Sequence, residues 1–207
     1  MDLWGPFIYA AVFLTLALIA KSFQPRLGVR RALARAPNVA IADIKDGAWV
    51  KVSGLVGVVG PQMMSPISGQ ECVGFWVEVV RSQSRELNRE TCSVFSITDD
   101  TGIAYVDGPF MLVLDVEDGW SVVPKERYGV LEEAGVQLDA QFFNRFTFRE
   151  GLLQSGDRVS VLGCAFLEPD PARPAEGFRS PAMVRHLRGS EGKPVVVGDT
   201  HRLSRKR

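Results

Sequence analysis

The sequence is poor in the residues that hold small folds together covalently or through metal. Its 207 residues include three cysteines, Cys72, Cys92 and Cys164, and two histidines, His186 and His201. No CxxC pair and no CxxC…HxxxH spacing occurs. An odd count at long spacings argues against a disulfide framework or a structural zinc site and reads as free thiols in a reducing compartment. Net charge is missing too, because 24 basic residues balance 24 acidic ones. That balance hides a segregation. Five basic residues fall in 21–42 and four in 202–207, with no acid in either stretch. The body from 43 to 201 holds 15 basic against 23 acidic residues, a net of −8. With 46% hydrophobic and 23% charged residues, the composition is that of a globular protein.

No charge of either sign occurs from Leu3 to Ala20, which reads LWGPFIYAAVFLTLALIA. As a helix this run would span about 27 Å, against a hydrocarbon core of roughly 30 Å. Pro6 lies in the first turn, where a missing N–H is harmless, and Trp4 and Tyr9 suit an interfacial end. A buried core helix would show a polar stripe, yet only Thr15 interrupts the apolar surface after Tyr9. A cleaved signal peptide would carry a basic segment first, and only Met1 and Asp2 precede the run. The basic residues come afterwards: Lys21, Arg26, Arg30, Arg31 and Arg35. Positive charge on one flank keeps that flank in the cytoplasm. Residues 3–20 are therefore expected to cross the inner membrane once, N-terminus outside and the domain cytoplasmic. Residues 21–39 form a basic juxtamembrane segment, whose RLGVRRALARAP stretch predicts a short helix ended by Pro37. Residues 199–207 form a basic tail. Lys21–Arg35 and Arg202–Arg207 are candidate contacts for anionic lipid, at about 1 kcal/mol per charge near a headgroup surface. The same residues serve equally as ordinary topology signals.

From Ala40 the pattern changes to short β-type runs punctuated by Gly, Pro and Asp. Strands are predicted at Trp49–Val56, Phe75–Val80, Cys92–Thr98, Ile103–Val106, Met111–Val116, Val159–Leu167 and Lys193–Val197. Phe146 and Phe148 alternate with Arg145, Thr147 and Arg149, which predicts a further strand with its phenyl rings inward. Asp99-Asp100-Thr101-Gly102 reads as a tight turn. Lys125–Ala134, ended by Gly135, is the one helix expected in the domain. Gly47–Gly54 and Gly156–Gly163 share the frame GxxVxVxG. Two valines two apart point to one face, and the following glycine permits a bulge or sharp coil, as in strands that open small barrels of the OB type. The expected fold is mainly β, a small OB-like barrel or sandwich with one short helix over residues 40–198, preceded by the transmembrane helix. An OB-like barrel that bound single-stranded nucleic acid would carry a basic groove. The acidic body argues against nucleic acid as a partner.

The stretch Ser65-Pro66-Ile67-Ser68-Gly69-Gln70-Glu71-Cys72-Val73-Gly74-Phe75-Trp76-Val77-Glu78-Val79 resembles the SP(L/I)SGxxCVxYxxxV segment of the GIDE family, also called BAM for "beside a membrane". Three further matches follow in the family's order. Phe95 to Gly102 (FSITDDTG) resembles its F-x-(I/V)-x-D-x-x-G hairpin. Glu150 to Gly163 resembles its E-x-x-(I/L)-x-x-G-D-x-V-x-V-x-G segment, and Lys193–Val197 its final strand. The resemblance covers roughly residues 40–200 and marks Ser65, Pro66, Gly69, Cys72, Asp99, Gly102, Glu150, Gly156, Asp157 and Gly163 as motif residues with structural roles. It implies a membrane-adjacent β domain of a bacterial-type member, acting as a non-catalytic scaffold that binds a protein partner or lipid. The family's eukaryotic ubiquitin ligase places this domain between two transmembrane helices ahead of a RING finger. The present sequence has no second apolar span after Val197 and none of the eight Cys/His ligands of a RING. The alternative is therefore a component of a ligase-like system, with the RING or another catalytic part on a separate chain.

No residue constellation argues for an enzyme. A Cys/His nucleophile would have to join one of three dispersed thiols to His186, and packed thiols are the better reading. Gly54, Gly57 and Gly60 form GxxGxxG, but Pro61 follows and no helix opens there, so this is no nucleotide loop. Asp99 and Asp100 read as turn-capping carboxylates before they read as a cation site. Glu150 is expected to be buried against an arginine. No cofactor and no metal is expected.

Overall fold

The computed structural model describes residues 25–82, 84–114, 119–138, 146–170, 182–190 and 192–199. The apolar run at 3–20 and the tail beyond 199 lie outside these residues. Among the described residues no helix is long and apolar enough to cross a membrane.

The strands, in chain order, are β1 (Trp49–Val58), β2 (Met63–Met64), β3 (Glu71–Cys72), β4 (Gly74–Arg81), β5 (Ser84–Cys92), β6 (Phe95–Asp99) and β7 (Gly102–Asp107). They continue with β8 (Phe110–Val113), β9 (Ser121–Val122), β10 (Phe146–Leu153), β11 (Arg158–Pro169), β12 (Met183–Arg188) and β13 (Val195–Asp199). The helices are α1 (Pro25–Arg35) and α2 (Tyr128–Glu133).

The two GxxVxVxG segments turn out to be partners. β1 and β11 pair antiparallel with Val52 opposite Val161, Val50 opposite Gly163 and Gly54 opposite Val159. The valines repeat every second residue, so they share one face and fill one interior. From β1 the ladder runs antiparallel to β6 and on to β7, parallel from β7 to β12, and antiparallel through β11 back to β1. Five strands thus close a barrel. Val52, Val56, Phe95, Ile97, Val106, Val161 and Leu187 point inward and are all but inaccessible. Each such side chain contributes about 1.5–3 kcal/mol by leaving water. Gly54 sits where β6 crosses closest, and a Cβ there would collide with the Thr98 carbonyl oxygen. β11 serves three neighbours. Opposite β1, it pairs with β13 through residues 159–162 and with β12 through residues 164–169. Gly163 lies at that change of partner, against the Arg188 carbonyl and the Val195 side chain.

One end of the barrel is stoppered. A single 3-10 turn, Ile41–Asp43, places a fully buried Ile41 against the barrel core. The β6–β7 turn holds it there: Asp99 Oδ2 accepts the Ile41 N–H at 2.9 Å, and Thr101 Oγ1 accepts the Ala42 N–H at 3.0 Å. Asp99 Oδ1 meanwhile accepts the amides of Thr101 and Gly102 at 2.7 and 3.0 Å. Burial opposes ionisation of Asp99, but these bonds from Thr101, Ile41 and Gly102 outweigh it and hold the pKa below the usual carboxylate range. β8 extends the barrel sheet in parallel with β13, and α1 lies across this extension. Leu33 of α1 packs against Val113, Leu162 and Val196.

Two insertions build a second sheet. β2 to β5 lie between β1 and β6, while β9, α2 and β10 lie between β8 and β11. They assemble in the order β5-β4-β10-β9, with β4 and β10 paired over eight residues. Val77, Val79, Phe146, Tyr128 and Leu131 form its core beneath α2.

Several expectations are corrected here. The run Cys92–Thr98 is two elements, because Cys92 ends β5 and Ser93 donates its amide to Val73 before β6 starts at Phe95. Lys193 stands outside β13, in an isolated bridge with Ser190. The domain helix expected at Lys125–Ala134 is a 3-10 turn, Lys125–Arg127, followed by α2, while α1 is the short helix expected in the juxtamembrane segment. Of the Met111–Val116 run, residues 115–116 lie outside the described residues.

Gly54→Ala should lower the unfolding free energy by about 1–3 kcal/mol, the usual cost of overpacking. Chemical denaturation measures it, and an unchanged midpoint would mean that β6 can give way at no cost.

Candidate functional site

Five of the motif residues converge although they come from different insertions. Between β2 and β3 the chain makes a closed loop: the Ser65 amide donates to the Gln70 carbonyl at 2.9 Å and the Gly69 amide to the Ser65 carbonyl at 3.1 Å. The Ser65 and Ser68 hydroxyls share a 2.5 Å hydrogen bond. Ile67 at the loop's tip is anchored in the core of the second sheet. Glu150 of β10, more than eighty residues away in sequence, accepts the Ile67 amide at 3.4 Å and the Ser68 amide at 3.3 Å. Its partners are thus backbone amides of the loop, not the arginine expected from the sequence. One carboxylate thus satisfies two turn amides, one of them on the buried Ile67.

Gly69 has φ +68°, the left-handed region that β-branched residues rarely enter. A Cβ on it would also collide with Nη2 of Arg127, whose guanidinium occupies that space. Cys72 lies behind the loop, fully buried, with its thiol directed to the Met63 carbonyl at 3.6 Å. Burial, and then the charge of Glu150, push its pKa up to about 11. Burial, and then Glu90 and Cys72, push Cys92 up to about 12. Both environments therefore favour the protonated thiol over the thiolate. His186 lies elsewhere, on the barrel, stacked at 5.5 Å on Tyr105 and close to Asp107 and Glu168.

The other motif residues are spread along the barrel. Asp99 and Gly102 hold its stopper. Gly156, with φ +88°, and Asp157 form the turn into β11, where Asp157 Oδ2 accepts the Gln154 amide at 2.7 Å. Gly163 marks the change of partner along β11. Among the described residues no group of three or more His, Cys, Asp or Glu side chains could hold a metal ion.

Beside the Ser65–Gln70 loop runs an open groove of about 420 Å³. Met63, Met64, Ser65 and Pro66 line it from the loop, Phe75, Arg89 and Thr91 from the sheet, and Arg127 and Val130 from the α2 side. Phe75 and Thr91 are cross-strand partners, as are Val77 and Arg89, so these sheet residues share the face that α2 covers. Sequence reasoning missed this groove. Its nearest signal is the Met63-Met64 pair just ahead of the motif, since adjacent methionines adapt to varied surfaces. On the other face of the sheet, nearly inaccessible Glu78 is paired with Arg85 and Arg149, each at 2.6 Å. Arg149 is sandwiched between the rings of Trp76 and Trp120 at 5.3 and 4.8 Å. A lone acid inside FWVEVV was the legible sign of this structural cluster.

Compared with known proteins, the chain matches no family model, no curated protein and no solved structure.

Gly69→Val should destabilise by about 1–3 kcal/mol through backbone strain alone, and more where Arg127 cannot move aside. Thermal unfolding reads this, with Gly192→Val, at open space, as the neutral comparison. The thiols give a pH signature. Folded Cys72 and Cys92 hold their protons more tightly than unfolded thiols, whose ordinary value is 9.0. Stability is therefore full below that value and falls as pH rises from about 9 towards 11 and beyond. A Cys72→Ala, Cys92→Ala chain should show a shallower decline over that window in denaturant titrations; identical slopes would remove the thiols as its cause.

Proposed function

We propose that the chain is a GIDE/BAM-type module: an OB-like barrel, tethered by one N-terminal helix, that presents a non-catalytic interaction surface on the cytoplasmic face of the inner membrane. The observation that carries this reading is the convergence of Ser65, Pro66, Gly69, Cys72 and Glu150 on one loop held by long-range amide–carboxylate bonds. A segment resembling the family's most distinctive motif thereby forms a wall beside a groove. The OB-like part of the reading is supported by a five-strand ring with one parallel pair, between β7 and β12.

The tether is supported by the spacing between the apolar run and the domain. Only four residues separate Ala20 from Pro25, where α1 starts. Four extended residues reach at most about 14 Å, so a span at 3–20 holds the body close to the headgroups. In the proposed arrangement Lys21–Arg35 and Arg202–Arg207 lie on the cytoplasmic side with the anionic lipids.

The test is alkaline carbonate extraction of the full chain, with accessibility labelling of cysteines placed at the two termini. The chain should stay in the membrane pellet with an intact N-terminus; the N-terminal tag should label in intact cells and the C-terminal one only after lysis. Release into the supernatant, a mature N-terminus near Lys21, or the reverse labelling would overturn the reading.

A further inference from the structure

The body's arginines are mostly spoken for. Arg81, Arg85, Arg149 and Arg188 each form an ion pair, and Arg185 donates to the Ala42 carbonyl at 3.0 Å. Arg89 and Arg127 are different: among the described residues neither guanidinium has a hydrogen-bond or ion-pair partner, and both line the groove beside the Ser65–Gln70 loop. Two uncompensated cations in one groove are out of keeping with a body of net −8, whose acids offer many partners. With them Met63, Pro66 and Phe75 give the lining an apolar part beside Ser65 and Thr91, and Met64 is 59% exposed. A volume of about 420 Å³ falls within the range of ligand clefts, roughly 300–1,000 Å³.

The geometry points to this groove as the docking site for an acidic, extended segment of a partner protein, with one apolar side chain anchored among Met63, Met64 and Phe75 and its carboxylates on Arg89 and Arg127. This deepens the proposed interaction module and rests on that reading. Guanidinium forks pair two-toothed with carboxylates, and unpaired ones supply both attraction and register. Methionines at the anchor site tolerate side chains of differing shape. Arg89 and Thr91 lie two apart on β5, the edge strand of its sheet, which matches the two-residue repeat of an extended peptide. An anionic bilayer fits less well. A flat anionic surface would be repelled by a body of net −8, whereas a linear segment can reach the two cations alone.

The experiment selects random twelve-residue peptides, displayed on phage, against the immobilised full chain, then measures affinities of the enriched peptides. Enriched sequences should be net acidic with at least one aliphatic or aromatic residue. Their affinity should fall at least tenfold on Arg89→Glu and on Arg127→Glu, and fall on Met64→Asp, while Ile103→Ser on the barrel leaves it unchanged. Thermal unfolding checks each variant; should Arg127→Glu unfold, the exposed Arg89 and Met64 positions still decide the matter. No enrichment, enrichment without acidic bias, affinities that ignore these substitutions, or binding confined to anionic phospholipid vesicles would each overturn the proposal. Retention in the carbonate pellet is independent of these readouts, so the membrane reading and the groove assignment fail separately.

Discussion

The pairing of β1 with β11 is the constraint on which the rest of the molecule hangs. It joins residues more than a hundred positions apart, with the Ser53 and Ser160 hydroxyls bonded at 2.7 Å beside the Val52–Val161 pair. Such closure costs chain entropy that only burial can offset, and loop-closure cost grows slowly with length. That slow growth lets the chain carry two long insertions between barrel strands. Once β1 and β11 are registered, both insertions leave from fixed points and their strands β4 and β10 meet over eight residues.

The second sheet then needs a tie that secondary structure alone does not supply, because the Ser65–Gln70 loop has no strand of its own. Glu150 supplies it. A carboxylate from one insertion satisfies amides from the other, so loop and sheet order together. The same charge contributes to raising the Cys72 pKa. The features that define the candidate site are thus coupled: the acceptor that shapes the loop adds, after burial, to holding the proton on the thiol behind it.

Sequence reading found the strands richest in apolar residues, whether they are buried on alternate residues, as β1 is, or on both faces, as β4 and β11 are. Trp49–Val56, Phe75–Val80 and Val159–Leu167 all appear within β1, β4 and β11, and Phe146 is inaccessible. The GxxVxVxG repeat was legible, but its meaning as a pairing of the two copies was not, since register is a tertiary fact. β5 was missed because SRELNRETC carries charge on an edge strand, where no residue is fully buried. β12 was missed because MVRHLR buries only Leu187, with Arg188 and His186 directed to Asp107 and Glu168. Asp99-Asp100-Thr101-Gly102 was legible as a tight turn, and Asp99 accepts the Thr101 amide there, while Gly69 and Gly156 lie at positive φ. The groove was not, because Arg89, Arg127 and Met64 come from three elements that only the fold brings together.

Docking of α1 changes what the basic segment can do beside a membrane. From the sequence, all of its arginines could serve a headgroup surface alike. In the folded chain Leu33 is seated among Val113, Leu162 and Val196, and Lys51 donates to the Leu33 carbonyl at 3.2 Å, a favourable cation at the helix's C-terminal end. Burying Leu33 contributes about 1.5–3 kcal/mol, while each arginine near an anionic surface contributes about 1 kcal/mol. These terms do not compete, because Arg31 and Arg35 already face outward from the docked helix. The helix need not leave the body to meet lipid. In the proposed arrangement its contact with the bilayer would fix not only the distance of the body but its rotation, and with it the direction in which the groove faces.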